Sequence, residues 1–111
     1  MLLTKQAIAE AQDVQIEKVD VPEWGGYVFV RGMSARARDA WEMDVYKNPT
    51  DDLRARLLLY SLCDDNGSLL FNKEDLELLT SKSGAALDCL FDVACRLSKV
   101  GNYHVEALKK T

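Results

Sequence analysis

The stretch that most limits what this chain can fold into is Val19 to Ser34, VDVPEWGGYVFVRGMS, the one segment with a clear β pattern. Side chains alternate along a strand, so Val28 and Val30 fall on one face, and Tyr27, Phe29 and Arg31 on the other. Val19 and Val21 alternate with Lys18 and Asp20 in the same way. Between the two runs lie Pro22-Glu23-Trp24-Gly25-Gly26, the punctuation of a hairpin loop. The paired glycines let the chain reverse through positive φ without a Cβ clash. Gly32 and Ser34 end the second strand, and Ser34 can cap a following helix. The expectation is a two-stranded antiparallel hairpin with Trp24 facing outward at its tip. A lone hairpin is marginal in water, so helices or a second copy of the chain must cover it.

The rest of the sequence is helical in pattern. Thr4 can cap a short helix to about Ala11, with Ala7, Ile8 and Ala11 on one face, expected to pack on the hairpin. From Ser34 to Val45, Ala37, Ala40, Trp41 and Val45 make an apolar stripe. Asn48-Pro49 breaks that helix. The next runs from Leu53 to about Cys63, with Leu53, Leu57, Leu58 and Leu62 as its buried positions. Asp64-Asp65-Asn66-Gly67-Ser68 is a turn, because Asn-Gly readily takes left-handed backbone angles. After Leu69-Leu70-Phe71, Asn72 caps a helix carrying Leu76, Leu78 and Leu79, with Asp75 in place to complete a capping box. Ser81 or Ser83 opens the longest helix, to about Val100, with Ala86, Leu87, Leu90, Phe91, Ala94 and Leu97 on a wide apolar face. Gly101 is expected to cap it, and Asn102 to open a last helix from Tyr103 to about Lys109. The fold class expected is α+β, mainly α: an N-terminal β-hairpin (about 15–32) packed on about five to six short helices (about 34–109), as one domain over residues 1–111.

Composition removes several function classes. Fourteen basic against eighteen acidic residues give a net charge of -4, which argues against a nucleic-acid partner bound through a basic surface. No apolar run approaches the roughly 20 residues of a membrane helix, so no membrane is expected. The first residues, MLLTKQAIAEAQD, lack a basic n-region and a cleavage site. Three cysteines without patterned spacing fit a reducing cytosol.

No catalytic or metal-binding constellation stands out. Placing Gly67 at position six of a calcium loop puts Leu62 at position one and Lys73 at twelve, and neither ligates calcium. Cys63, Cys89 and Cys95 form no C-x-x-C pair, and His104 is the single histidine. Arg31, Arg36 and Arg38 gather near Trp41, but acidic residues offset them locally, so a solvated face with ion pairs is the simpler reading. No phosphate-binding glycine loop is present. What remains is aromatic surface. Trp24, Tyr27, Phe29 and Trp41 are more than a hairpin with short helices can easily hide, and a hairpin has two open edges. These four residues are the expected self-association or partner-binding positions. No enzyme activity, cofactor or metal is expected.

The order of motifs resembles a known family. V-x-V-P-E-W-G-G-x-V-x-V-R-G-M-S (Val19 to Ser34), R-x-R within Leu53 to Leu57, C-D-D-N-G-S-L-L-F (Cys63 to Phe71) and K-S-G-A-A-L-D-x-L-F-D-V-A-x-R-L (Lys82 to Leu97) look like the tail assembly chaperones of long-tailed bacteriophages and prophages. The resemblance implies a non-enzymatic protein of the host cytoplasm, absent from the mature virion. It implies a coat on the tape measure protein, recruitment of the major tail tube protein, and assembly with itself into a homo-oligomer, ring or filament. It also implies a longer frameshifted form, and Lys109-Lys110 could be encoded by an A-rich slippery run. The alternative is a small helical nucleic-acid-binding regulator using Arg36 and Arg38. A third reading is a hydrolase subunit with a Cys nucleophile.

Overall fold

The computed structural model describes residues 1–49 and 51–100. In chain order these form helix α1 (Lys5–Glu10), strands β1 (Ile16–Val21) and β2 (Gly26–Arg31), and helices α2 (Ala35–Lys47) and α3 (Leu53–Leu59). A short strand β3 (Leu62–Cys63) follows, then helices α4 (Leu76–Thr80) and α5 (Gly84–Ser98). The α+β, mainly α class stands. The expected helix from Tyr103, its Asn102 cap, the Gly101 cap and His104 lie outside the described residues.

The hairpin forms in the register its alternation demands. Val19 pairs with Val28, and Glu17 with Val30, so the inner face carries Val19, Val21, Val28 and Val30. Pro22–Trp24 makes a 3-10 turn, and Gly25 closes it at φ 74, a left-handed angle that suits glycine. Trp24 does not point outward as expected. It is half-buried and packs against the core, because the 3-10 turn folds the tip back over the inner face.

The sheet has three strands, not two. The expected helix to Cys63 stops at Leu59, and Leu62–Cys63 pairs antiparallel with β2, Val30 opposite Leu62 and Phe29 opposite Cys63. The run Leu57-Leu58-Leu59-Tyr60-Ser61-Leu62-Cys63 is buried throughout, so its hydrophobicity carries no period to separate helix from strand. The open edge of β2 decides the matter by offering backbone partners. The Arg31 amide donates to the Ser61 carbonyl at 2.8 Å. The chain then reverses through Asp64–Ser68, where Asp64 Oδ1 accepts from the amides of Asn66 (2.9 Å) and Ser68 (3.0 Å). Arg31 Nη1 donates to the Gly67 carbonyl at 2.7 Å, tying this turn to β2.

Helix α5 covers the inner face of the sheet. Ala86, Leu87, Leu90 and Ala94 are buried, Phe91 and Leu97 partly so, and Val30, Leu57, Leu58 and Leu62 meet them in one core. Ser83 rather than Ser81 caps α5, accepting from the Ala86 amide at 3.3 Å. The helix ends at Ser98, two residues before the expected Val100, because Lys99 turns to φ 56 and the Val100 amide folds back to the Cys95 carbonyl at 2.9 Å. Gly32 lets β2 approach α5 closely: a Cβ there would lie 2.9 Å from the Leu97 carbonyl oxygen.

Helix α2 is capped by Ser34 as expected, but its buried stripe differs. Ala37, Trp41 and Val45 are buried, Ala40 is exposed, and Asp44 is buried in its place. Asp44 is held by Arg56 of α3 at 2.6 Å, by the Tyr60 hydroxyl at 3.3 Å and by Asn48 Nδ2 at 3.2 Å. This buried ion pair locks α2 to α3. Asn72 and Asp75 form the expected capping box, but on a 3-10 turn (Lys73–Asp75) that leads into α4. Leu79 is buried there, while Leu78 is exposed.

Helix α1 departs most from expectation. Thr4 caps it, accepting from the Ala7 amide at 3.1 Å, yet none of its residues is buried. It does not pack into the hairpin, because α5 already occupies the sheet's inner face and α1 offers only Ala7, Ile8 and Ala11 in exchange.

Candidate functional site

The face of the sheet opposite α5 is left uncovered among the described residues and carries two of the aromatic residues that the sequence singled out. By the strand register it carries Ile16, Lys18 and Asp20 from β1, Tyr27, Phe29 and Arg31 from β2, and Cys63 from β3. Tyr27 and Phe29 meet edge to face with centroids 5.7 Å apart, and Lys18 Nζ sits 4.1 Å above the Tyr27 ring. A depression of about 400 Å³ opens beside them, lined by Tyr27, Phe29, Cys63, Asp64, Asp65 and Leu70 among others. Tyr27 is 55% exposed, and Ile16, Leu69 and Leu70 are exposed with it. Contiguous apolar surface of this kind, rimmed by charge, is the usual mark of a protein-binding site.

The four expected interaction residues therefore divide. Tyr27 and Phe29 stand together on the uncovered face. Trp24 lies against the core at the hairpin tip, and Trp41, at 1% exposure, is a core residue. Trp41 is removed from the surface because α2 turns its stripe inward, toward α3 and the sheet. Sequence reasoning missed Ile16, at the start of β1, and Leu69 and Leu70, in the link that follows β3, all of them exposed. It also missed Met1, Leu2, Leu3 and Ile8, all exposed along the N-terminal arm.

The remaining chemistry is quiet. Cys63 is buried and its thiol is pushed up by that burial, with Arg31 pulling the other way, so it is protonated at neutral pH. Cys95 is pushed up to about 11, first by burial and then by Asp92. These are poor nucleophiles, and the Cys-hydrolase reading gains no support. Among the described residues no cluster of His, Cys, Asp and Glu could hold a metal ion. The arginines near α2 do not form an open basic patch. Arg31 is bound to Gly67, and Arg38 pairs with Glu42 at 3.4 Å and donates to the Ser98 carbonyl at 3.3 Å, while Arg36 is exposed. A groove between α3 and α5 is lined by Arg54, Lys82 and Asp88 and is bridged by an exposed Arg54–Asp88 ion pair. Among the described residues no helix is long and apolar enough to cross a membrane.

Comparison with known proteins decides the family. The family model described as phage tail assembly chaperone matches residues 3–110. The chain belongs to the phage tail assembly chaperone family. Among solved structures, the tail assembly chaperone of bacteriophage HK97 has a similar fold, with a TM-score of 0.61. It is 24% identical, and the match covers 83% of this chain and 94% of that one. No curated protein matches.

Proposed function

We propose that this chain is a non-enzymatic chaperone that coats a tape measure protein during tail morphogenesis and helps recruit tail tube subunits around it. The match to the family over residues 3–110 carries the reading. A tape measure protein is long and helical, so a coat must repeat along it. The uncovered sheet face at Tyr27 and Phe29 supports such repetition by giving each copy an apolar contact. The setting is the host cytoplasm of a phage or prophage, and the chaperone leaves before the virion is complete. A longer frameshifted product would accompany it.

The test is co-expression with the tape measure protein encoded by the same phage. This chain should keep it soluble and co-purify with it as a complex of many copies. Tyr27→Ser with Phe29→Ser should break the oligomer and return the tape measure protein to the insoluble fraction. A tape measure protein equally soluble with and without this chain, and never bound by it, would overturn the coating function.

A further inference from the structure

The turn that follows β3 holds the one Asn-Gly pair in the sequence, Asn66-Gly67. Asparagine is a chemically labile residue, and its lability depends on the residue after it. The next backbone nitrogen can attack the side-chain amide carbon, and a glycine there has no Cβ to hinder the approach. The fold keeps glycine at this place. Gly67 has φ 84, and a Cβ on it would lie 3.1 Å from Ile16 Cδ1. Asn66 is exposed, and among the described residues it is held by its backbone amide, which donates to Asp64 Oδ1 at 2.9 Å. Water therefore reaches its side chain.

The same turn keeps the attacking atom engaged elsewhere. The Gly67 amide donates to the Asp64 carbonyl at 3.0 Å, and the Asp64 amide donates to the Ser68 carbonyl at 2.9 Å. Arg31 Nη1 draws in the Gly67 carbonyl at 2.7 Å. Bringing the Gly67 nitrogen onto Asn66 Cγ frees that amide from Asp64. It also turns the Asn66–Gly67 peptide, and the Gly67 carbonyl behind it, away from Arg31. The turn must open before the reaction can start.

We propose that Asn66 is a site of spontaneous deamidation, and that Arg31 sets its rate by holding the turn closed. In the opened turn the Gly67 nitrogen bonds to Asn66 Cγ, gives up its proton and expels the side-chain nitrogen as ammonia. Water then opens the cyclic imide at either of its carbonyls. One opening leaves aspartate at position 66 with the main chain unchanged. The other leaves isoaspartate, whose main chain runs through Cγ and is longer by a carbon, which displaces the Gly67 carbonyl from Arg31. Either product adds a negative charge beside Asp64 and Asp65. Arg31 shares the outer sheet face with Tyr27 and Phe29, so the isoaspartate form loosens the edge of that face, irreversibly and without an enzyme.

The test incubates the full chain in mildly alkaline buffer, folded and in urea, and follows the peptide containing Asn66 by mass spectrometry after digestion. Labelling with an isoaspartyl methyltransferase separates the two products. The parent should convert at Asn66, and faster in urea than when folded. Arg31→Ala, still folded by circular dichroism, should convert about tenfold or more faster than the folded parent, the effect of losing one hydrogen bond to a charged group. Arg31→Lys keeps the cation without the planar fork and should fall between them, which preserves the test if Arg31→Ala does not fold. Arg56→Ala weakens the α2–α3 pair and not this turn, so its folded rate should stay near the parent's if the opening is local. Asn66 intact in both the folded and the urea-treated chain overturns the site. A parent that converts equally fast in both, folded Arg31 variants at the parent's rate, or an equal acceleration by Arg56→Ala overturns the gating by Arg31.

Discussion

Arg56→Ala should destabilise the fold more than any surface substitution, and its cost follows from the geometry of one ion pair. Asp44 and Arg56 side chains are 5% and 12% exposed, and their closest atoms lie 2.6 Å apart. Removing the guanidinium leaves the Asp44 carboxylate buried with Asn48 and the Tyr60 hydroxyl as its side-chain partners among the described residues. Breaking a buried pair from one side typically costs about 3–5 kcal/mol, because the surviving charge stays out of water without its counterion. That is a large part of the roughly 5–15 kcal/mol that holds an ordinary domain folded. With a urea dependence of about 1.5 kcal/mol per molar, the unfolding midpoint should fall by about 2–3 M. Asp44→Ala should cost a similar amount, since it strands Arg56 and Tyr60 together. The double variant should lose less than the sum of the two, with a coupling of about 1–3 kcal/mol. The assay is equilibrium urea unfolding of the four chains followed by tryptophan fluorescence, to which the buried Trp41 contributes. A loss under about 1 kcal/mol for Arg56→Ala, the range of exposed pairs, would refute the burial on which the argument depends.

Two further outcomes follow from the packing and the titrating groups. Gly32→Ala puts a Cβ 2.9 Å from the Leu97 carbonyl oxygen, where only backbone can yield. It should cost about 1–3 kcal/mol, read as a lower melting temperature, and an unchanged melt would mean that β2 and α5 are not in close approach. Alkaline pH should destabilise the fold in two stages. The Cys95 thiol rises from 9.0 to about 11 through burial and Asp92. The Tyr60 hydroxyl rises from 10.0 to about 12 through burial and Asp44. Both are neutral acids whose protonated form the fold favours. Their stabilisation is whole below the ordinary values and is lost as pH climbs through the raised ones, so unfolding free energy should decline from about pH 9 to 12. Tyr60→Phe should flatten the upper part of that decline, and a profile unchanged by it would refute the assignment. In the native state at neutral pH, the exposed Cys89 should react with a thiol reagent well before Cys63 or Cys95.

The hairpin was legible because a strand period of two and a Pro/Gly-Gly loop are both local signals, and the structure keeps the pairing they imply. Helix α5 was legible for the same reason, its apolar face recurring at helical spacing and Ser83 marking its start. The caps at Thr4, Ser34 and Asn72 were readable one by one, since each depends on a side chain reaching an amide two or three residues away. The half of the candidate site that lies on β2, Tyr27 and Phe29, came from that same alternation.

Tertiary structure decided the rest. Whether Leu62–Cys63 ends a helix or forms a strand depends on the free edge of β2, which comes from residues more than thirty positions away. Trp41 became core and Asp44 a buried anion because Arg56 and Tyr60 wait on the next helix, a pairing that no helical wheel of α2 contains. The third strand set Leu70 beside Tyr27, with Leu69 bridged to Cys63, and the occupation of the inner face by α5 left α1 without a place on its own sheet. Sequence by itself determined the two strands of the hairpin, the longer helices and the apolar side of α5. Which apolar sides meet, and which are left facing water, depended on competition among them for one core.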